Sequence, residues 1–398
     1  MKSFHIIVWG ATGFTGQLVV EYLLAHAPND LQWAIAGRCA EKLQRVREHF
    51  IEEYPSAATI PIRTADSFDL ARLKALAAEA DVICSTVGPY ALYGSMLVQA
   101  CVEEGADYCD LTGESLWIQQ MIKAHHQQAV VQKRRIVHCC GFDSIPSDLG
   151  VWFLQQHSIK KLGRPQQQVM LGVKKLKGGV SGGTIASMIH AIDTARNTER
   201  RRSLVNPYAL YPETEPEGDD RPPKFTIERH PKGWKAPFVM ASINSQVVRR
   251  SNALLEFPYG RDFRYEEVSL FPAGLRGMTR GFLLGLGLTS ITILLAMGWS
   301  RSLVQRFLPK PGQGPSKAQR EAGKFSMHVY GGELEAAVIG YRDPGYAETA
   351  KMLAESALAL SLDKQHLPEN YGVLTPAAAM AEVLVGRLQK AGIDFKII

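Results

Sequence analysis

The chain begins FHIIVWGATGFTGQLVVEYLLAHA: a short apolar run, a glycine-rich turn, then apolar residues at helical spacing. A strand that passes into a helix through such a turn restricts what can follow. Its parallel neighbour can be reached only by a crossover, and the rest of the first third reads as a series of them. LQWAIAGR, TIPIRTAD, DVICSTVGP, DYCDLTGE and RIVHCCGFD are strand-like; AEKLQRVREHFIEEY, ARLKALAAEA, GSMLVQACVEEG and WIQQMIKAHHQQAVVQK, which lie between them, are helix-like. This alternation predicts an α/β fold with a doubly wound parallel sheet covered on both faces, and a ligand site beyond the carboxyl ends of its strands.

The opening turn carries Gly10, Gly13 and Gly16 in a GxxGxxG pattern, with Thr12, Phe14 and Thr15 completing it. Gly10 permits the tight turn, Gly13 lets a pyrophosphate approach the backbone, and Gly16 allows close helix–strand packing. The helix N-terminus favours the anion. The alternative is a purely structural turn. An acidic residue at the end of the second strand would hold the ribose 2′-hydroxyl of NAD; Gly37 and Arg38 stand there instead, with Lys42 a turn later. A guanidinium can grip a 2′-phosphate, so the expected cofactor is NADP. The competing reading of Arg38 is a solvent-facing strand end. After the fourth strand, Ser85, Val87 and Gly88 are placed to lie along the nicotinamide ribose. Tyr90 either flanks the ring or packs in a plain loop.

Beyond Asp143 the rhythm changes. DLGVWFLQQH and GGTIASMIHAIDTARNTERRR read as helices; VMLGVKKLKGG, KFTIERH and FSMHVYGG…LEAAVIGYRD read as strands. This predicts a second, α+β domain on a mixed or antiparallel sheet. Tyr211–Lys224 and LPKPGQGPSKAQREAGK read as exposed loops, and the tail as two helices and a short end strand. The chain has 398 residues and a net charge of +6, with no basic array interleaved with aromatics, which argues against a nucleic-acid partner. Its six cysteines form no CxxC, and no Cys/His spacing suits a metal. Together with an N-terminus that enters a strand at once, they point to a reduced, cytoplasmic protein without a signal peptide.

Hydride transfer requires a proton donor more than a nucleophile. Tyr90, Asp143 and Ser144 are the candidate catalytic residues, with the polar turn Ser181–Thr184 beside them. Asp143 and Ser144 follow the last strand and should face the cleft. The other reading of GFDSIPSDLG is a helix entry, with Ser147 or Asp148 capping the helix LGVWFLQQH. His125, His126 and His138 have no partner visible in the sequence and read as core or surface residues.

GATGFTG, AGR, VGPY…YG, YCDLTGE, GFDSIPSDLG, SGGT and RDPGYAETAKMLAESALAL…GVLTPAAAM together resemble the saccharopine dehydrogenase-like oxidoreductases, nearest to the bacterial trans-acting enoyl reductase branch. The resemblance runs nearly end to end. It implies a Rossmann-type NADP-binding domain over residues 1–145 and a substrate domain over 146–343. It also implies a C-terminal segment, 344–398, returning to the Rossmann side. Enoyl reductases of this branch act on lipid precursors, whereas saccharopine dehydrogenases take a polar amino-acid adduct. A scaffold or sensor that binds NADP(H) without turnover is the reading from a different class.

Gly281–Trp299 is uncharged and long enough to cross a hydrocarbon core of roughly 30 Å. Arg276, Arg280, Arg301 and Arg306 flank it. It could span a bilayer, dip into one leaflet, or pack in a core or homodimer interface. A single span would separate the first domain from the tail that the resemblance brings back to it. The favoured expectation is therefore a cytoplasmic enzyme pressed against a membrane surface, with a small lipid-like substrate.

Overall fold

The computed structural model describes residues 2–178, 197–213, 215, 218, 220, 226–296 and 314–398. Its first seven strands are β1 (Phe4–Trp9), β2 (Trp33–Gly37), β3 (Ile62–Thr64), β4 (Ala80–Ser85), β5 (Asp107–Asp110), β6 (Arg135–Val137) and β7 (Gln168–Lys177). The others are β8 (Glu228–His230), β9 (Gly233–Ala236), β10 (Arg264–Phe271), β11 (Lys324–Gly331), β12 (Leu334–Gly340), β13 (Gly372–Leu374) and β14 (Asp394–Ile397).

One sheet has the order β13-β6-β5-β4-β1-β2-β3, with every pair parallel. Its central strands are apolar on both faces because helices cover both, and the buried residues form a core cluster on each side. The register sets Trp9 beside Ser85 and Ser85 beside Asp110, so the carboxyl ends of β1, β4 and β5 lie at one level. This is the doubly wound Rossmann-type sheet expected from the strand–helix alternation. The expectation did not include β13. It is three residues long and extends the sheet beyond β6 from far down the chain.

The second sheet has the order β14-β12-β11-β7-β10-β9-β8. Only β7 and β10 pair in parallel, so the sheet is mixed. The helix Ile145–Leu162 lies across β12, β11 and β7. Of the expected strand KFTIERH only Glu228–His230 forms one among the described residues. Of the long expected helix through Arg202, Thr198–Val205 is helical, and residues 179–196 lie outside the described residues.

The tail serves both sheets. The helix Thr349–Leu362 is buried except at its last residue, and it packs on the helix Phe14–His26 and on β1, β4 and β5. The following helix, Pro376–Lys390, packs on Ile145–Leu162, and β14 completes the second sheet.

Within this chain the apolar segment is not a core helix. Leu275–Leu295 is helical, yet only 11% of its most apolar window is buried. Phe282, Leu283, Leu286 and Ile293 are each more than half exposed. Gly281 lets the helix approach Ala236 and Phe271, which anchors one side of it to the second sheet. Residues 297–299 of the expected segment, and Arg301 and Arg306, lie outside the described residues.

Candidate active site

The glycine turn lies at the carboxyl end of β1. Gly10 has φ +88°, which favours glycine, and a side chain there would strike Val87 and Thr86. At Gly16 a side chain would meet the Gly10 carbonyl and the Ala11 backbone, so this residue sets the helix against the strand. Gly13 differs: it is exposed, its φ is an ordinary −74°, and only the Gly10 carbonyl is near. Gly13 also begins the helix Phe14–His26 with no side-chain cap. The amide groups at that terminus are thus free of side-chain partners and open to an anion, which fits a dinucleotide pyrophosphate. Thr12, Phe14 and Thr15 are half-buried around the turn. The Thr86 hydroxyl donates to the carbonyls of Trp9 and Gly10 and ties β4 to the turn. Arg38 follows β2 directly and is exposed, as is Lys42 in the first turn of Ala40–Ile51.

Ser85 ends β4, buried, while Val87 and Gly88 beyond it are open to the cleft. Tyr90 is buried. Its hydroxyl donates to the Ser85 carbonyl at 3.1 Å and accepts the Leu111 amide, and burial pushes the phenol far up. The Glu114 carboxylate accepts the amides of Tyr90 and Ala91, both at 2.9 Å, holding this loop from the next strand's connection.

Sequence reasoning missed a pair at the ends of β5 and β6. Asp110 Oδ2 accepts the Tyr108 hydroxyl at 2.9 Å and lies 2.8 Å from His138 Nδ1. The Nε2 of His138 has no hydrogen-bond partner among the described residues, and the Trp117 ring stands edge-on to the imidazole. Both residues sit at a strand end in adjacent parallel strands. The register alone would have brought them together, had β5 and β6 been aligned.

Asp143 and Ser144 occupy the turn after β6, and their environments are opposite. Ser144 is buried and donates to Asn244 Oδ1 at 2.8 Å. The Asn244 amide in turn donates to Glu267, which also accepts from Ser147 and from the Tyr265 hydroxyl. The Asp143 carboxyl retains solvent contact and has no hydrogen-bond partner among the described residues. The dense protein around it pushes its pKa up to about 6. The helix begins at Ile145, so Ser147 and Asp148 are inside its first turn and their side chains do not cap it. Ser181–Thr184 lies outside the described residues.

The start of the C-terminal segment packs against Phe14 and Phe142. Tyr346 meets the Phe14 ring edge-on at 4.9 Å, and the Thr349 hydroxyl accepts the Phe142 amide at 3.2 Å. Among the described residues no cluster of His, Cys, Asp and Glu could hold a metal ion.

The saccharopine dehydrogenase NADP-binding domain family matches residues 6–137, the span that carries this turn and the strand ends around it. Similarity extends well past that span. A trans-acting enoyl reductase of Mycobacterium bovis is 39% identical over 98% of this chain and 97% of its own. The chain belongs to the trans-acting enoyl reductases of the saccharopine dehydrogenase-like family. A Mycobacterium tuberculosis protein carrying the same designation provisionally is 43% identical over 99% of this chain and 97% of its own. The saccharopine dehydrogenase (L-Glu forming) of Saccharomyces cerevisiae superposes with a TM-score of 0.54 over 99% of this chain and all of that one. At 11% identity it shares the fold alone. As a member of this family the chain is an NADP-binding oxidoreductase, and the exposed Gly13 with its uncapped helix fits that cofactor.

Proposed function

We propose that this enzyme reduces the carbon–carbon double bond of an enoyl lipid precursor with NADPH, at a membrane surface. The observation that carries the chemistry is the Asp143 carboxyl: partly exposed, without a partner among the described residues, and raised to about 6 on the turn beyond the strand ends. The Gly10–Gly16 turn would hold NADPH, which would supply the hydride for the β-carbon. The α-carbon then needs a proton, and Asp143 holds one on its carboxyl at mildly acidic pH. Tyr90 and Ser144 have their hydroxyl protons committed to Ser85 and Asn244, so their part is to hold the loop and turn in place.

The lipid part of the reading draws on the exposed helix Leu275–Ala296. A hollow of about 240 Å³ between it and Ile227 and Pro237 is lined by Phe282, Leu286 and Thr289, chiefly apolar surface that suits an acyl chain. A polar amino-acid adduct would gain nothing from it. The test is NADPH oxidation with a long-chain enoyl thioester, with and without phospholipid vesicles, set against NADP+ reduction with saccharopine as the competing reaction. Turnover of the thioester is expected, faster with vesicles. Turnover of saccharopine alone would overturn the lipid reading, and cofactor binding with no turnover of either would favour a scaffold.

A further inference from the structure

Phe14 is the first residue of the helix that follows the glycine turn. Helical side chains lean toward the N-terminus, so its ring lies over the turn where the pyrophosphate binds. Three residues from beyond the second domain's apolar helix converge on that ring. Tyr346 meets its edge at 4.9 Å, Gly314 packs so closely that a side chain there would collide with it, and the Arg320 guanidinium stands 5.6 Å from its centroid.

Arg320 differs from the cations near it. Lys317 lies 4.0 Å from Glu53, and Arg342 lies 3.9 Å from Glu321. Among the described residues no carboxylate pairs with Arg320. Its Nη1 donates to the Pro315 carbonyl at 2.9 Å, which fixes the guanidinium's orientation, and its other N–H groups have no side-chain hydrogen-bond partner among the described residues. Glu21, Glu53 and Glu321 line the same hollow as Arg320 without pairing with it. An arginine held beside the first residue of an anion-binding helix, with no carboxylate in ion-pair contact among the described residues, is suited to a bidentate phosphate contact.

We propose that Arg320 is a ligand of the cofactor's pyrophosphate, carried to the glycine turn from the second domain, with Phe14 and Tyr346 setting its position. The Rossmann domain supplies backbone amides to the diphosphate, and Arg320 supplies a charge from the opposite side. It is distinct from Arg38, which would hold the 2′-phosphate at the end of β2.

Binding of NADPH, 2′-phospho-ADP-ribose and 2′-AMP is measured for wild type, Arg320→Ala and Arg320→Lys, with a thermal melt of each. The first two ligands contain the pyrophosphate; 2′-AMP does not. With melting temperatures unchanged, Arg320→Ala should weaken both pyrophosphate ligands about tenfold or more and leave 2′-AMP within twofold, as expected for one charge-assisted hydrogen bond. Arg320→Lys should recover part of the loss. Unchanged NADPH affinity in Arg320→Ala would overturn the proposal. So would a loss shared equally by 2′-AMP, which would mean that Arg320 acts through the fold. If Arg320→Ala melts early, Arg320→Lys carries the test: NADPH affinity lowered with 2′-AMP unchanged supports it, and no selective change refutes it.

Discussion

The Asp148 carboxylate accepts the backbone N–H of Ala377 at 2.8 Å, joining the first turn of one helix to the first turn of another. Its other oxygen accepts the Ser251 hydroxyl. The residue thus satisfies an orphan amide at the start of Pro376–Lys390, a capping role served across the fold and not along the chain. It is buried with no cation pairing with it among the described residues, and burial pushes its pKa up to about 7.

This predicts a pH dependence of stability with a definite sign. The folded chain holds the Asp148 proton more tightly than the unfolded chain, whose aspartates ionise near 3.8. The group's contribution to stability is therefore fully present below about pH 4 and is lost as pH rises through 7. Glu267, also raised to about 7 by burial, adds in the same direction. Asp148→Asn keeps an oxygen for Ala377 and cannot ionise. Urea unfolding at pH 5 and pH 7 should show a smaller fall in stability for Asp148→Asn than for wild type, by an amount on the order of 1 kcal/mol or more. Parallel curves would show that Asp148 does not titrate in this window.

The glycines of the turn should separate cofactor binding from folding. Gly13→Val places a branched side chain at an exposed position with an ordinary φ, 3.3 Å from the Gly10 carbonyl, so the turn must give only slightly while the approach of a pyrophosphate is blocked. It should melt near the wild-type temperature and lose NADPH binding. Gly16→Val drives the same side chain into the Gly10 carbonyl and should lower the melting temperature sharply. Reversed results would mean that the phosphate site lies elsewhere.

These assignments also show what the sequence can carry. The glycine turn, the parallel strands and the first helices were legible because each is a local pattern of apolar spacing and turn residues. The helix Ala241–Leu254 and β10 were not. Buried within them are Asn244, Arg249, Arg250 and Glu267, which read as surface residues until their partners are known. Arg250 donates through its two Nη atoms to the carbonyls of Leu210 and Val373, which lie 40 and 123 residues away. The Asp110–His138 pair was hidden for the same reason: the two residues lie 28 positions apart, and only strand register joins them. Arg320 lay in what read as an exposed loop, where nothing in the spacing connects it to Phe14.

If Asp143 gives the proton, kcat/KM for the enoyl substrate should fall as pH rises through about 6, where the free enzyme's carboxyl ionises. Asp143→Asn should bind NADPH normally, lose roughly 100-fold or more in kcat, and lose this limb of the profile. A fully active Asp143→Asn enzyme would move the donor to another group. Tyr90→Phe tests the same point from the other side. Because the Tyr90 hydroxyl is engaged with Ser85 and Leu111, its loss should lower stability by about 1 kcal/mol and leave the pH profile in place.

The exposed helix makes the last prediction. Phe282, Leu283, Leu286 and Ile293 are 57%, 64%, 53% and 53% exposed on one helix, the kind of apolar surface that calls for a covering. Two coverings compete: lipid and a second copy of the chain. Arg276 and Arg280 precede the apolar stretch on the same helix, which favours lipid, because a headgroup layer can hydrate them while the apolar face enters the leaflet. Wild-type protein should therefore float with phospholipid vesicles, more strongly with anionic than with neutral lipid. Leu286→Asp with Ile293→Asp should stay in the aqueous fraction with an unchanged melting temperature, since both side chains are exposed within the chain. A wild-type dimer that ignores vesicles, and that the double variant converts to monomers, would place a second copy on this face and remove the membrane from the proposed function.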